Sequence, residues 1–291
     1  MPLVAAAVCP HPPLIVPELA GTAAPELADL RAACAVAVTA LYAAGARTVV
    51  LVGSGEHTAE LEPPYRGSFT PWGLPRTVSL GPGPTGPEPG SAPVLPGSVA
   101  AHPGPPGPGS AAGLRAPGAG LRGGSGELPL SLLVGAWLVD RVEPPVPTAW
   151  RMVSVAPDAS VDRCAALGAG LVANGPVSDG PVSDGPWALL VLGDGSACHG
   201  PKAPGYDDPR AGAYDEGVAR ALAGADVDAL LGLDPVVSAE LRVAGRAAWQ
   251  VLAGAVRAAG GDWHGELRHH SAPYGVGYLV ASWTRTDGRV R

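Results

Sequence analysis

Two short apolar runs, each breaking into a turn that carries a histidine, constrain this chain more than any other feature. The first, Leu3 to Val8, ends in Cys9-Pro10-His11-Pro12-Pro13, where prolines leave the backbone around the imidazole little freedom. The second, Thr48-Val49-Val50-Leu51-Val52, is β-branched and breaks into Gly53-Ser54-Gly55-Glu56-His57. Between them Leu27, Leu30, Cys34, Val38 and Leu41 fall at helical spacing, with Thr22 as a candidate cap, Pro25 in the first turn and Gly45 as the stop. Strand, helix and strand make a βαβ unit with parallel strands and a right-handed crossover. Both runs then end on one edge of the sheet, where open α/β folds keep their chemistry. His11 and His57 are expected there as near neighbours, and two imidazoles are half of a metal site.

The rest of the chain extends the alternation. Leu130, Leu133, Trp137 and Leu138 suggest a helix, Arg151 to Val155 a strand, and 160–173 an Ala/Leu helix. Trp187-Ala-Leu-Leu-Val-Leu192 reads as a buried strand, and it breaks into Gly193-Asp194-Gly195-Ser196-Ala197-Cys198-His199-Gly200, a third strand end with a histidine. Helices follow around Tyr214, Val218 and Leu222 and around Trp249, Leu252 and Val256, and the chain closes with an antiparallel pair, Trp263 to Arg268 and Tyr274 to Trp283. The expected fold is α/β, one domain over 1–291, with a mixed, mostly parallel central sheet flanked by helices.

One stretch departs from this pattern. From 63 to 126 proline and glycine dominate, as at 81–87 and 103–109, and such composition buries too little apolar surface to offset its ordering entropy, so part of this insert is expected to be a mobile loop. A GxGxxG match at 118–123 lies inside it, but no strand precedes it and no helix follows, so it reads as coincidence. The five-residue duplication at 175–179 and 180–184 is too short for a solenoid and lengthens a loop.

Composition narrows function by exclusion. The formal charge is −7 and the arginines are scattered singly, which leaves no electrostatic footprint for nucleic acid. Cys9, Cys34, Cys164 and Cys198 are far apart without CxxC spacing, which argues against a zinc knuckle or a disulfide framework and fits a reducing cytoplasm. Nothing near Met1 resembles a targeting peptide, and no apolar stretch approaches the roughly 18 residues of a membrane span.

Several bland readings stand beside the chemical ones. A lone histidine is more often a hydrogen-bonded structural group; three at strand ends are harder to dismiss. His264, His269 and His270 read as solvated or structural, and His102 as idle in the insert. Ser54 and Ser196 sit in Gly-rich turns but do not fit GxSxG. Cys198 and His199, adjacent in extended backbone, point to opposite faces and make no thiolate pair. Asp194 serves either as an Asx turn cap or at a metal.

With these pieces in order, the chain resembles the B-subunit-like family of class III extradiol ring-cleavage dioxygenases and the related Memo-like proteins. The matching pieces are Cys9-Pro10-His11-Pro12, Gly53-Ser-Gly-Glu-His57, the 193–200 turn, Leu233-Asp234-Pro235, Gly245-Arg246 and Tyr274-Gly-Val-Gly-Tyr278, spread over the whole chain except the insert. The resemblance implies a non-haem Fe(II) site with His11 and His57 as ligands, His199 as the acid and base, and a catechol-type aromatic substrate cleaved with O2. His57 is preferred to Glu56 because imidazole is the commoner ligand for this metal. The family's third ligand falls where this chain has Ala244, which cannot bind iron; Asp194 and Glu240 are the candidate substitutes. The alternative the resemblance implies is a Memo-like metal-binding or scaffold protein without ring cleavage. A homo-oligomer and a separate partner subunit are both left open.

Overall fold

The computed structural model describes residues 1–81, 127–142, 144, 148–175 and 185–286. The strands in chain order are β1 (Leu3–Cys9), β2 (Thr48–Ser54), β3 (Ala59–Leu61), β4 (Tyr65–Ser68), β5 (Thr77–Leu80), β6 (Ala149–Val155), β7 (Trp187–Leu192), β8 (Trp263–Ser271) and β9 (Tyr278–Arg285). The helices are α1 (Pro17–Ala20), α2 (Ala28–Ala43), α3 (Leu130–Asp140), α4 (Val161–Asn174), α5 (Arg210–Ala223), α6 (Val227–Leu231), α7 (Pro235–Glu240) and α8 (Arg246–Ala259).

The main sheet has the order β3-β6-β2-β7-β1-β9-β8. Its centre, β6-β2-β7-β1, is parallel, and antiparallel strands close both edges, so the expected mixed α/β architecture holds. Strand periodicity divides the core between the two faces. Ala5, Ala7, Cys9, Val49, Leu51, Ala188, Leu190 and Leu192 pack toward α2 and α3. Ala6, Val8, Val50, Val52, Leu189 and Val191 pack toward α8, α4 and α5. The central strands β1, β2 and β7 are buried on both sides almost throughout, as a sheet covered on both faces requires.

Three features differ from the sequence expectation. First, β1 and β2 are parallel but not adjacent: β7, buried along its whole length, lies between them. Two strand spacings put their ends about 10 Å apart. Second, α2 begins at Ala28, because Gly21–Leu27 forms a 3-10 turn with Pro25 inside it. Proline removes an N–H and keeps the preceding residue out of the α region, so Thr22 caps nothing. Gly45 does end the helix, at φ 84° with its N–H on Tyr42 O at 2.9 Å. Third, the insert begins with ordered structure: β4 and β5 pair Tyr65 with Leu80, and Tyr65, Phe69, Val78 and Leu80 are buried with α3. The stretch 82–126, with its GxGxxG match and His102, and most of the 175–184 duplication lie outside the described residues. Among the described residues no helix is long and apolar enough to cross a membrane.

Candidate functional site

Strand register brings the chemistry to one rim. Cys9 and Gly53 both stand opposite Leu192, and Gly53 opposite Ser154, so β1, β7, β2 and β6 end level with one another. The turn after β7 is stitched down on several sides. The Gly193 N–H donates to Cys9 O at 3.0 Å, and the Gly245 N–H donates to Asp194 O at 2.8 Å. A Cβ on Gly193 would stand 2.4 Å from Gly245 Cα, so this approach needs glycine. Beyond it, the Gly195 N–H donates to Gly277 O at 2.7 Å and the His199 N–H to Gly275 O at 3.1 Å, tying the turn to the β8–β9 connection.

His199 is held by a carboxylate that the motifs did not reveal. Its Nε2 lies 2.7 Å from Asp215 Oδ2. Asp215, on α5, is completely buried, and its oxygens also accept the Ser196 N–H at 2.9 and 3.2 Å. Gly195 and Gly277 line the carboxylate so closely that a Cβ on either would meet its oxygens at 2.6 and 1.9 Å. Burial pushes the Asp215 carboxyl up, while the Ser196 N–H and then His199 pull it back toward ionisation. An ionised Asp215 makes Nε2 the protonated nitrogen, so Nδ1 carries the lone pair that can take a proton.

His11 meets its acid differently. Its backbone N–H donates to Asp194 Oδ1 at 2.7 Å, whereas its ring Nδ1 stands 3.7 Å from that oxygen. The ring is nine-tenths buried and Nδ1 has no hydrogen-bond partner among the described residues. Burial raises the Asp194 carboxyl against the opposing pull of His11. Nearby, burial pushes the Cys34 thiol well up, and contact with Cys9 and the Asp194 charge add to it. Burial also raises the Tyr278 phenol, reinforced by Asp194.

The other sequence candidates stand apart. The His57 side chain is 83% exposed and its nearest acid is Glu56, at 3.9 Å and also exposed. Topology explains this: the 55–58 loop must cross the end of β6 to reach β3, away from β7 and β1. Ser154 Oγ holds His57 O at 2.7 Å, and Thr58 Oγ1 accepts the Ala156 N–H at 3.0 Å, fixing the crossing. Glu240 is bound to Arg210 at 2.7 Å. Ser196 Oγ donates to buried Leu241 O, and Cys198 Sγ to Gly205 O, so neither is poised as a nucleophile. On β8, His269 bonds Ser271 Oγ at 2.7 Å.

The Fe(II) ligand set His11, His57 and Asp194 is therefore not assembled. His11 and Asp194 stand together, His57 does not, and among the described residues no group of three or more His, Cys, Asp or Glu side chains could hold a metal ion. The residue missed was Asp215. No motif marks it, but it shares a helical stripe with buried Ala211, Val218 and Leu222, and an acid on an apolar stripe was the available signal.

No protein-family model matches the chain, and no curated protein matches it. Among solved structures it is similar to the crystal structure of uncharacterized protein JW3007 from Escherichia coli K12, with 12% identity, coverage of 97% of this chain and 99% of that one, and a TM-score of 0.47.

Proposed function

We propose that this chain binds a small phenolic molecule of catechol type at the β1/β7 rim and that His199 takes and returns its proton. The observation that carries the reading is the 2.7 Å contact between His199 Nε2 and a carboxylate with no solvent exposure. A buried acid on one ring nitrogen orients the imidazole, fixes its tautomer and stabilises the imidazolium that forms, the arrangement used in general acid–base catalysis. The His199 side chain keeps 20% of its surface exposed, so the opposite nitrogen can reach a ligand. The resemblance to extradiol dioxygenases supports a phenol as the acid. The four cysteines, all free and buried, suit a reducing cytoplasm.

A second reading, Fe(II)-dependent ring cleavage with O2, is favoured by one observation, the buried and unpartnered His11 Nδ1 beside Asp194. Iron would there supply Lewis acidity and a seat for O2. The described residues provide two of the donors this chemistry uses and no third, so the first reading takes precedence.

The test is an anaerobic titration of the purified chain with nitrocatechol, followed by absorbance. Binding is expected to shift the ligand to its yellow phenolate, and His199→Asn to abolish the shift while sparing the fold. An unchanged spectrum with the wild-type chain would overturn the proposal. Repeating the titration in air with added Fe(II) separates the second reading, which requires oxygen uptake and loss of the aromatic band.

A further inference from the structure

A separate cleft of about 600 Å3 opens beside the rim, between α7 and the turn that follows β6. Its walls are apolar, with Pro157, Pro235, Val236, Ala239 and Val243 among them. Two cations face it. Arg246 is 2% exposed and donates to Ala159 O, to Gln250 Oε1 and to Pro157 O, all neutral acceptors. No carboxylate pairs with it among the described residues. A buried guanidinium without a counter-ion costs several kcal/mol, and its place in the first turn of α8 sets it against the positive end of the helix as well.

The second cation, Arg242, is exposed at the mouth. Its guanidinium lies 5.9 Å over the ring of Tyr206, and its Nη1 reaches Pro204 O at 3.4 Å. Arg242 and Tyr206 both hold left-handed backbone, at φ 52° and 67°. Such strain in non-glycine residues persists only where the surroundings enforce it, and ligand clamps are a common setting. Of the two acids on the cleft, Glu240 is engaged by Arg210 at 2.7 Å, which leaves Asp158 alone against two arginines.

We propose that this cleft is a binding site for a small carboxylate with an apolar body, its charge held by Arg242 and Arg246 and its hydrocarbon by the proline and valine walls. The volume suits a ligand of metabolite size, and the mix of apolar lining with few convergent polar groups is that of small-molecule sites. The proposal does not depend on the chemistry of His199.

Calorimetry of the full chain with phenylacetate, octanoate, phenylacetamide and inorganic phosphate tests it. One of the two carboxylates is expected to bind saturably at millimolar concentration or below, with phenylacetamide and phosphate at least about tenfold weaker, a decade being about 1.4 kcal/mol. Arg242→Asn removes the charge while keeping a residue that tolerates left-handed backbone, and should weaken carboxylate binding about tenfold. Ala239 is exposed, so Ala239→Trp fills the cleft without disturbing the core and should abolish binding. No saturable heat from either carboxylate, amide or phosphate binding as tightly as the carboxylates, or wild-type affinity in Ala239→Trp, would each overturn the assignment.

Discussion

Asp215 grips a ring, and Asp194 grips a backbone. Asp215 is fully buried and Asp194 largely so, both are raised by that burial, and each serves a histidine on or beside the turn after β7. Yet Asp215 Oδ2 is 2.7 Å from His199 Nε2, whereas Asp194 Oδ1 spends its 2.7 Å contact on the His11 N–H and stays 3.7 Å from the ring. The first arrangement fixes how an imidazole handles protons. The second fixes where a strand ends and leaves a buried ring nitrogen unspent, at a cost of about 1–3 kcal/mol for an unsatisfied polar group. In the proposed function the proton accordingly goes to the His199 pair, while the ring nitrogen of His11 is the one left without a hydrogen-bond partner among the described residues.

The sharpest way to break this contrast is to neutralise each acid in turn. Asp215→Asn is expected to slow proton transfer from bound nitrocatechol to His199 about 10²–10⁴-fold in stopped-flow absorbance, the usual worth of a positioned acid–base group. Asp194→Asn should change it by less than about tenfold. Equal losses would erase the distinction. A smaller effect tests the packing behind Asp215. Gly277→Ala would drive a methyl to within 1.9 Å of Asp215 Oδ2, and overpacking of this kind costs about 1–3 kcal/mol, measured as a lower denaturant midpoint. The His199 contact should be lost with it.

Much of this frame was legible in the sequence, and the limits are physical. The runs at β1, β2 and β7 announce themselves because strands buried on both faces are continuously apolar, and α8 because Trp249, Leu252 and Val256 repeat at helical spacing. The hairpin β4–β5 was hidden because Pro63-Pro64 and Gly67 mask the alternation of Tyr65, Phe69, Val78 and Leu80. Strand order was beyond reach for a different reason. Pairing of β1 and β2 with β7 is set by a segment more than 130 residues downstream of β2, and no local pattern encodes which strands become neighbours. The same non-local step separated His57 from His11, whereas Asp215 reaches His199 from only 16 residues downstream, on α5.

The Asp194 half of the comparison makes a pH prediction. Its folded-state pKa is raised above the ordinary 3.8, so the folded chain holds this proton more tightly than the unfolded one. The stabilisation is complete below 3.8 and is lost as pH rises through the folded value. Asparagine keeps an acceptor for the His11 N–H but cannot ionise. Asp194→Asn should therefore match or exceed the parent at neutral pH, by ~1 kcal/mol on the scale of one buried polar group, and lose that advantage in acid. Urea midpoints at the two pH values decide it; an advantage that grows in acid would contradict the assignment.

The smallest expected effect tests the comparison from outside. His57 is 83% exposed, its carbonyl is pinned by Ser154, and the loop that carries it runs toward β3. A surface side chain in that position contributes within about 0.5 kcal/mol, so His57→Ala should leave the denaturant midpoint and the nitrocatechol shift unchanged. His11→Ala removes a ring that is nine-tenths buried and should lower the midpoint measurably. The same pair of variants reads out on metal: with Fe(II) or Zn(II) followed by calorimetry, any heat should depend on His11 and not on His57. If His57→Ala instead abolishes metal binding, the 55–58 loop must swing back across β6 and β7 to reach His11. Ser154 would then have to release the His57 carbonyl, and the three-donor reading of the rim would replace the one argued from Asp215.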